Sequence, residues 1–137
     1  MPMIPQVFII DDDEMSCYLT RFMLKLQQAA SDIVTYFDAE EALKAIETGL
    51  EQGNLPNLIL LDLNMPHLDG WEFLDALAPL EEKLTNKLKI FILTSSVDPY
   101  DEERSRAYSL VSGFLPKPLS AETANLFKQQ FGVNNNE

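Results

Sequence analysis

Five short apolar runs are separated by segments of helical periodicity, and this alternation constrains the fold more than any other feature of the chain. The runs are residues 7–10, 33–37, 58–61, 90–93 and 113–115. A strand covered by helices on both faces needs apolar side chains on both, so it reads as a nearly solid run rather than an alternating one. The pattern therefore predicts a βα-repeating domain built on a parallel sheet. Only residues 33–37 carry an interior polar side chain, Thr35, which marks that run as the candidate edge strand.

Between the runs, Met15, Leu19, Phe22 and Leu26 recur at helical spacing, as do Ala42, Leu43, Ile46 and Leu50. Both sets predict core-facing stripes. Helix starts are expected at Asp38 with Glu41, at Asp69 with Glu72, at Asp98 before Pro99, and at Ser120. Residues 83–89 are polar and read as a loop. The tail from 132, above all Asn134 to Glu137, has little to bury and is expected to fray.

A chain of 137 residues has room for one domain, so the expectation is a single domain over 1–137 with its core at about 5–131. Its 46% hydrophobic fraction is enough for a core. Against 10 Lys plus Arg stand 22 Asp plus Glu, a net charge of −12. Such a field repels phosphate backbones and anionic lipid, so neither nucleic acid nor membrane is an expected partner. No apolar run approaches the roughly 20 residues that span a bilayer. The single cysteine, Cys17, cannot form an internal disulfide, and a reducing cytoplasm fits it.

In an open parallel sheet, ligands bind beyond the carboxyl ends of the strands, where strand order reverses. Those ends carry Asp11, Asp12 and Asp13 after the first run, Asp62 after the third, Thr94 at the fourth, and Lys117-Pro118 after the fifth. The acids at 11–14 also suit a helix N-terminus, whose dipole favours negative charge. A calcium loop does not fit, since Ser16 and Phe22 stand where Gly and Glu would be required. Asp62 is harder to dismiss, because a carboxylate ending an apolar strand is costly to bury without a partner. A carboxylate cluster of this kind suits Mg²⁺, which takes oxygen ligands.

These residues carry a resemblance. The acidic pair Asp11-Asp12, the stretch from Asp62 through Asn64, Met65 and Pro66 to Gly70, the Leu93-Thr94-Ser95 triplet and the Lys117-Pro118 pair resemble the receiver domain of bacterial two-component response regulators. The match covers essentially the whole chain, in order. It implies a (βα)5 doubly wound, flavodoxin-like fold with strand order 2-1-3-4-5. It also implies a stand-alone receiver without an output domain.

Residue by residue, the resemblance implies that Asp62 is the phosphoacceptor. Asp11, Asp12, Asp62 and the backbone carbonyl of Asn64 would hold Mg²⁺. Thr94 and Lys117 would contact phosphoryl oxygens, Phe114 would follow the Thr94 hydroxyl as a switch, and Pro118 would follow a cis peptide bond. Phe114 reads equally well as core. The implied partners are a histidine kinase or histidine phosphotransfer protein and a downstream protein that reads helix 4, strand 5 and helix 5. A phosphorylation-dependent homodimer is also allowed. Trp71, His67 and Cys17 read as packing or loop residues, and Arg104, Arg106 and Tyr108, placed on the fourth helix, read either as contact residues or as a solvated helix face, the second reading being favoured.

Two rivals share parts of this pattern. An aspartate-nucleophile phosphatase of the haloacid dehalogenase class wants a second Asp two residues after the nucleophile, where this chain has Asn64, which cannot act as a general acid. A flavin carrier wants a phosphate-binding loop after the first strand, where Asp11 to Glu14 would repel the phosphate.

Overall fold

The computed structural model describes residues 2–96 and 98–133. Five parallel strands, β1 (Ile4–Ile10), β2 (Ala30–Tyr36), β3 (Leu58–Leu61), β4 (Lys89–Thr94) and β5 (Val111–Pro116), stand in the order β2-β1-β3-β4-β5. The expected strand order is therefore the observed one, and the Thr-bearing β2 is an edge. The helices are α1 (Glu14–Leu26), α2 (Ala39–Gln52), α3 (Gly70–Leu77), α4 (Pro99–Ser105) and α5 (Ala121–Phe131). A 3-10 turn at Ala78–Leu80 and one helical turn at Glu81–Leu84 follow α3. That turn occupies the start of the stretch expected to be loop, because Leu84 is fully buried and anchors it.

Strand side chains alternate between faces, and both faces are covered. Phe8, Ile10, Ile59, Leu61, Ile90 and Ile92 pack with Ala42 and Ile46 of α2 and Phe73 and Leu77 of α3. Val7, Ile9, Leu58, Leu60 and Leu93 pack with Cys17 and Leu24 of α1 and Ala124 and Phe127 of α5. Side-chain oxygens of Asp13, Asp38, Asp69, Asp98 and Ser120 cap the five helices. At Asp69 the cap is a full capping box with Glu72, whereas Asp38 accepts from the Glu40 amide, so Glu41 takes no part.

One expectation fails outright. Met15, Leu19, Phe22 and Leu26 are 45–63% exposed, and the inward side of α1 is Cys17, Thr20 and Leu24. Helical spacing identifies a stripe but not the side that meets the sheet. Thr20 passes as a core residue because its hydroxyl donates to the Ser16 carbonyl at 2.9 Å, which satisfies it locally. At the C-terminal end, the ordered chain runs past 132. The Val133 amide donates to the Met3 carbonyl at 2.9 Å in an antiparallel bridge. Asn134 to Glu137 lie outside the described residues. No helix among the described residues is long and apolar enough to cross a membrane.

Candidate functional site

The site is built from the first residues past three strand ends. The Asp11 amide donates to the Tyr36 carbonyl at 3.0 Å, the Asp62 amide to Ile10 at 2.9 Å, and the Lys117 amide to Thr94 at 2.9 Å. Each functional residue thus extends the sheet ladder by one step and is held by backbone bonds. Asp13 then starts α1, its side chain accepting from the Met15 amide, while the Asp13 amide donates to Asp11 Oδ1 at 3.0 Å. That turn closes the acidic segment on itself. The helix-cap reading of residues 11–14 therefore belongs to Asp13, and Asp11 and Asp12 are left for other work.

Carboxylate oxygens of Asp11, Asp12 and Asp62 lie within 4.8 Å of one another. Asp11 and Asp62 are buried, Asp12 is exposed, and Thr94 is fully buried at the end of β4. The Lys117 ammonium lies 2.6 Å from Asp11 Oδ2 and 3.6 Å from Asp62 Oδ1. Among the described residues, Asp62 Oδ1 is buried with no hydrogen-bond partner. The Lys117–Pro118 peptide bond is cis.

Asn64 is exposed in the loop after Asp62. Phe114 is half-buried and stands opposite Ile92, while Thr94 stands opposite Pro116. The two-residue period therefore places Thr94 and Phe114 on the same face of the sheet. Phe114 also packs on the core beneath that face. Gly70 is required by close approach: a Cβ there would lie 2.6 Å from the Asp62 carbonyl oxygen.

Electrostatics follow from the crowding. Burial pushes the Asp62 carboxyl above its ordinary range and the Asp11 charge pushes it further, opposed by Lys117, the Leu63 amide and the Thr94 hydroxyl. Burial alone would lower the Lys117 ammonium, but the Asp11 carboxylate, with Asp62 behind it, more than offsets this and raises it. The Cys17 thiol, 3.2 Å from the Asp11 carbonyl oxygen, is pushed up to about 12 by burial and then by Asp11. It is inert as a nucleophile, because reactivity needs the thiolate.

The arrangement offers a buried, unpartnered carboxylate oxygen beside a cation and two further carboxylates, all at a strand-order reversal between β1 and β3. The profile of the response regulator receiver domain matches residues 7–127. The chain belongs to this family. Over 123 residues the receiver is 32% identical to the alkaline phosphatase synthesis transcriptional regulatory protein PhoP of Bacillus subtilis, covering 88% of this chain and 45% of PhoP. It is 33% identical over 117 residues to the nitrate/nitrite response regulator protein NarL of Escherichia coli, covering 85% of this chain and 49% of NarL. The receiver thus spans about half the length of either protein. A crystal structure of a two-component response regulator from Cytophaga hutchinsonii superposes with a TM-score of 0.87 at 27% identity, over 94% of this chain and 97% of that one.

Sequence reasoning missed one cluster beside this site. Trp71, assigned to local packing, stacks on Tyr108 and lies under Arg104. Tyr108 and Arg106 do not lie on the fourth helix, which ends at Ser105. Arg106 makes an exposed ion pair with Glu102 at 3.6 Å. No local pattern could have paired residues 71 and 108, which meet only once the sheet has formed.

Proposed function

We propose that this receiver is a phosphorylation switch whose phosphoacceptor is Asp62, with a phosphohistidine of a histidine kinase or phosphotransfer protein as donor. The observation that carries the reading is the buried Asp62 Oδ1, which has no hydrogen-bond partner and faces the Lys117 ammonium at 3.6 Å. A carboxylate oxygen held free in this way can form a bond to phosphorus. The bond from phosphorus to the donor nitrogen then breaks, and its electron pair leaves with the imidazole.

Phosphoryl transfer spreads charge over the equatorial oxygens, so the protein contributes positioning and cationic stabilisation. Lys117 turns from Asp11 toward a phosphoryl oxygen, and the Thr94 hydroxyl donates to another. The all-oxygen donor set of Asp11, Asp12 and Asp62 fits a hard divalent cation, and the Asn64 carbonyl would join it. Mg²⁺ bound there would offset the negative charge that accumulates on the phosphoryl oxygens. The output is a changed surface on α4, β5 and α5, with Phe114 following Thr94, and it acts on a downstream protein or a second copy. The absence of a general acid at Asn64 favours a switch over a phosphatase.

Incubation with MgCl₂ and a small-molecule phosphodonor, followed by intact-mass analysis and peptide mapping, tests the assignment. One added phosphoryl group on Asp62 is expected, lost in Asp62→Asn and when EDTA replaces MgCl₂. Full labelling of Asp62→Asn would refute it.

A further inference from the structure

We infer that Trp71, Arg104, Tyr108 and Asp75 form a latch that clamps the C-terminal end of α4 to α3 until phosphorylation of Asp62 opens it. The inference rests on Asp62 being the phosphoacceptor. Trp71 and Asp75 stand one turn apart on α3, and Arg104 and Tyr108 are likewise four residues apart, at the end of α4 and in the turn after it. The two pairs meet face to face. The Trp71 and Tyr108 rings are stacked with centroids 5.8 Å apart, and the Arg104 guanidinium carbon lies 4.3 Å from the Trp71 ring centre. The Tyr108 hydroxyl donates to Asp75 Oδ1 at 2.7 Å. Stacking, cation–π attraction and a hydrogen bond to a charged acceptor thus hold one junction.

Each half of the latch is tied to one side of the phosphoacceptor. On the α3 side, the Gly70 amide donates to the Leu63 carbonyl at 3.0 Å, so the residue before Trp71 rests on the backbone beside Asp62. On the α4 side, the Ser96 amide donates to Thr94 Oγ1 at 3.2 Å, and the Ser96 hydroxyl donates to Asp101 Oδ2 at 2.7 Å. Asp101 lies on α4 one turn before Arg104. A movement of Thr94 relative to Asp62 is therefore a movement of Arg104 and Tyr108 relative to Trp71 and Asp75.

The latch is closed in the arrangement in which Lys117 pairs with Asp11 and Thr94 accepts from Ser96. A phosphoryl group on Asp62 draws both Lys117 and Thr94 toward it, which pulls on Ser96 and on α4. Arg104 and Asp75 are exposed, so the contacts are weak enough for this pull to break. A ligand that binds the open state must overcome the closed population, and weakening the latch removes that penalty.

Trp71 is the only tryptophan of the chain, so its fluorescence reads the latch directly. The full chain is titrated with beryllofluoride in MgCl₂, with fluorine NMR reporting occupancy at Asp62. In wild type, Trp71 emission is expected to change with occupancy as Arg104 and Tyr108 leave the ring. In Tyr108→Phe, which keeps the stacked ring, and in Asp75→Ala, resting emission should already be shifted toward the saturated value. Half-saturation should fall about threefold or more in both variants. Unchanged or raised half-saturation in both, or unchanged wild-type emission at full occupancy, overturns the latch alone. No fluorine signal from a bound species overturns the phosphoacceptor assignment and the latch with it.

Discussion

Lys117 is paired with Asp11 rather than with Asp62: its Nζ is 2.6 Å from the first carboxylate and 3.6 Å from the second. One ammonium therefore serves two buried acids unequally. Asp11 is satisfied, while Asp62 keeps an oxygen without a partner. The inequality leaves the Asp62 oxygen that the proposed phosphoryl transfer requires, and it also sets the stability of the site.

Removing Lys117 leaves both buried carboxylates without a cation. Breaking a buried pair by deleting one partner costs about 3–5 kcal/mol. Because the Lys117 side chain is 17% exposed, Lys117→Met is expected near the low end, about 3 kcal/mol at pH 7. The raised Lys117 pKa makes this contribution constant through neutral pH, and it is lost only as pH rises through the folded-state value. Urea melts at pH 7 measure it. A variant as stable as wild type would show that the pair holds no net charge interaction.

Asp62 behaves in the opposite sense. Its folded-state pKa is raised, by burial first and by Asp11 second, so the ionised form is a penalty that the unfolded chain does not carry. Asp62→Asn should therefore be more stable than wild type at neutral pH. As pH falls through the raised pKa, wild type takes up a proton in the folded state and recovers. The difference should vanish below the unfolded carboxylate pKa of about 3.9. Paired thermal melts from about pH 8 to about pH 3 read this difference. A gap that widens as pH falls contradicts the assignment.

The sheet was legible because buried parallel strands are apolar on both faces, and the convergence of Asp11, Asp12, Asp62 and Lys117 in the candidate site was legible because these residues follow strand ends on one rim of the sheet. The orientation of α1 was not. Its larger apolar stripe, Met15, Leu19, Phe22 and Leu26, faces solvent, and a smaller one with Cys17 and Thr20 faces the sheet. Periodicity weighs hydrophobicity, whereas the packed side of α1 includes small or self-satisfied residues. Leu24→Ala, at a fully buried position, is expected to cost about 2–5 kcal/mol, whereas Phe22→Ala, half exposed, should cost under about 1 kcal/mol. Equal losses would mean that Phe22 is packed after all.

Asp12 separates metal binding from structure. It is exposed, and Asp13 rather than Asp12 caps α1, so Asp12→Ala removes neither a cap nor a core contact. The metal-free variant should melt within about 0.5 kcal/mol of wild type, as surface substitutions do. Any small change should be a gain, because one charge leaves a cluster whose oxygens lie within 4.8 Å of one another. In wild type, MgCl₂ at 100 times its dissociation constant should add about 2.7 kcal/mol by binding only the folded arrangement. In Asp12→Ala the same concentration should add much less, since one of three carboxylate ligands is gone. Melts in EDTA and in MgCl₂ at matched ionic strength give both differences. If Mg²⁺ stabilises the variant as strongly as wild type, the cation does not sit among Asp11, Asp12 and Asp62, and the proposed transfer would draw its cationic stabilisation from Lys117 alone.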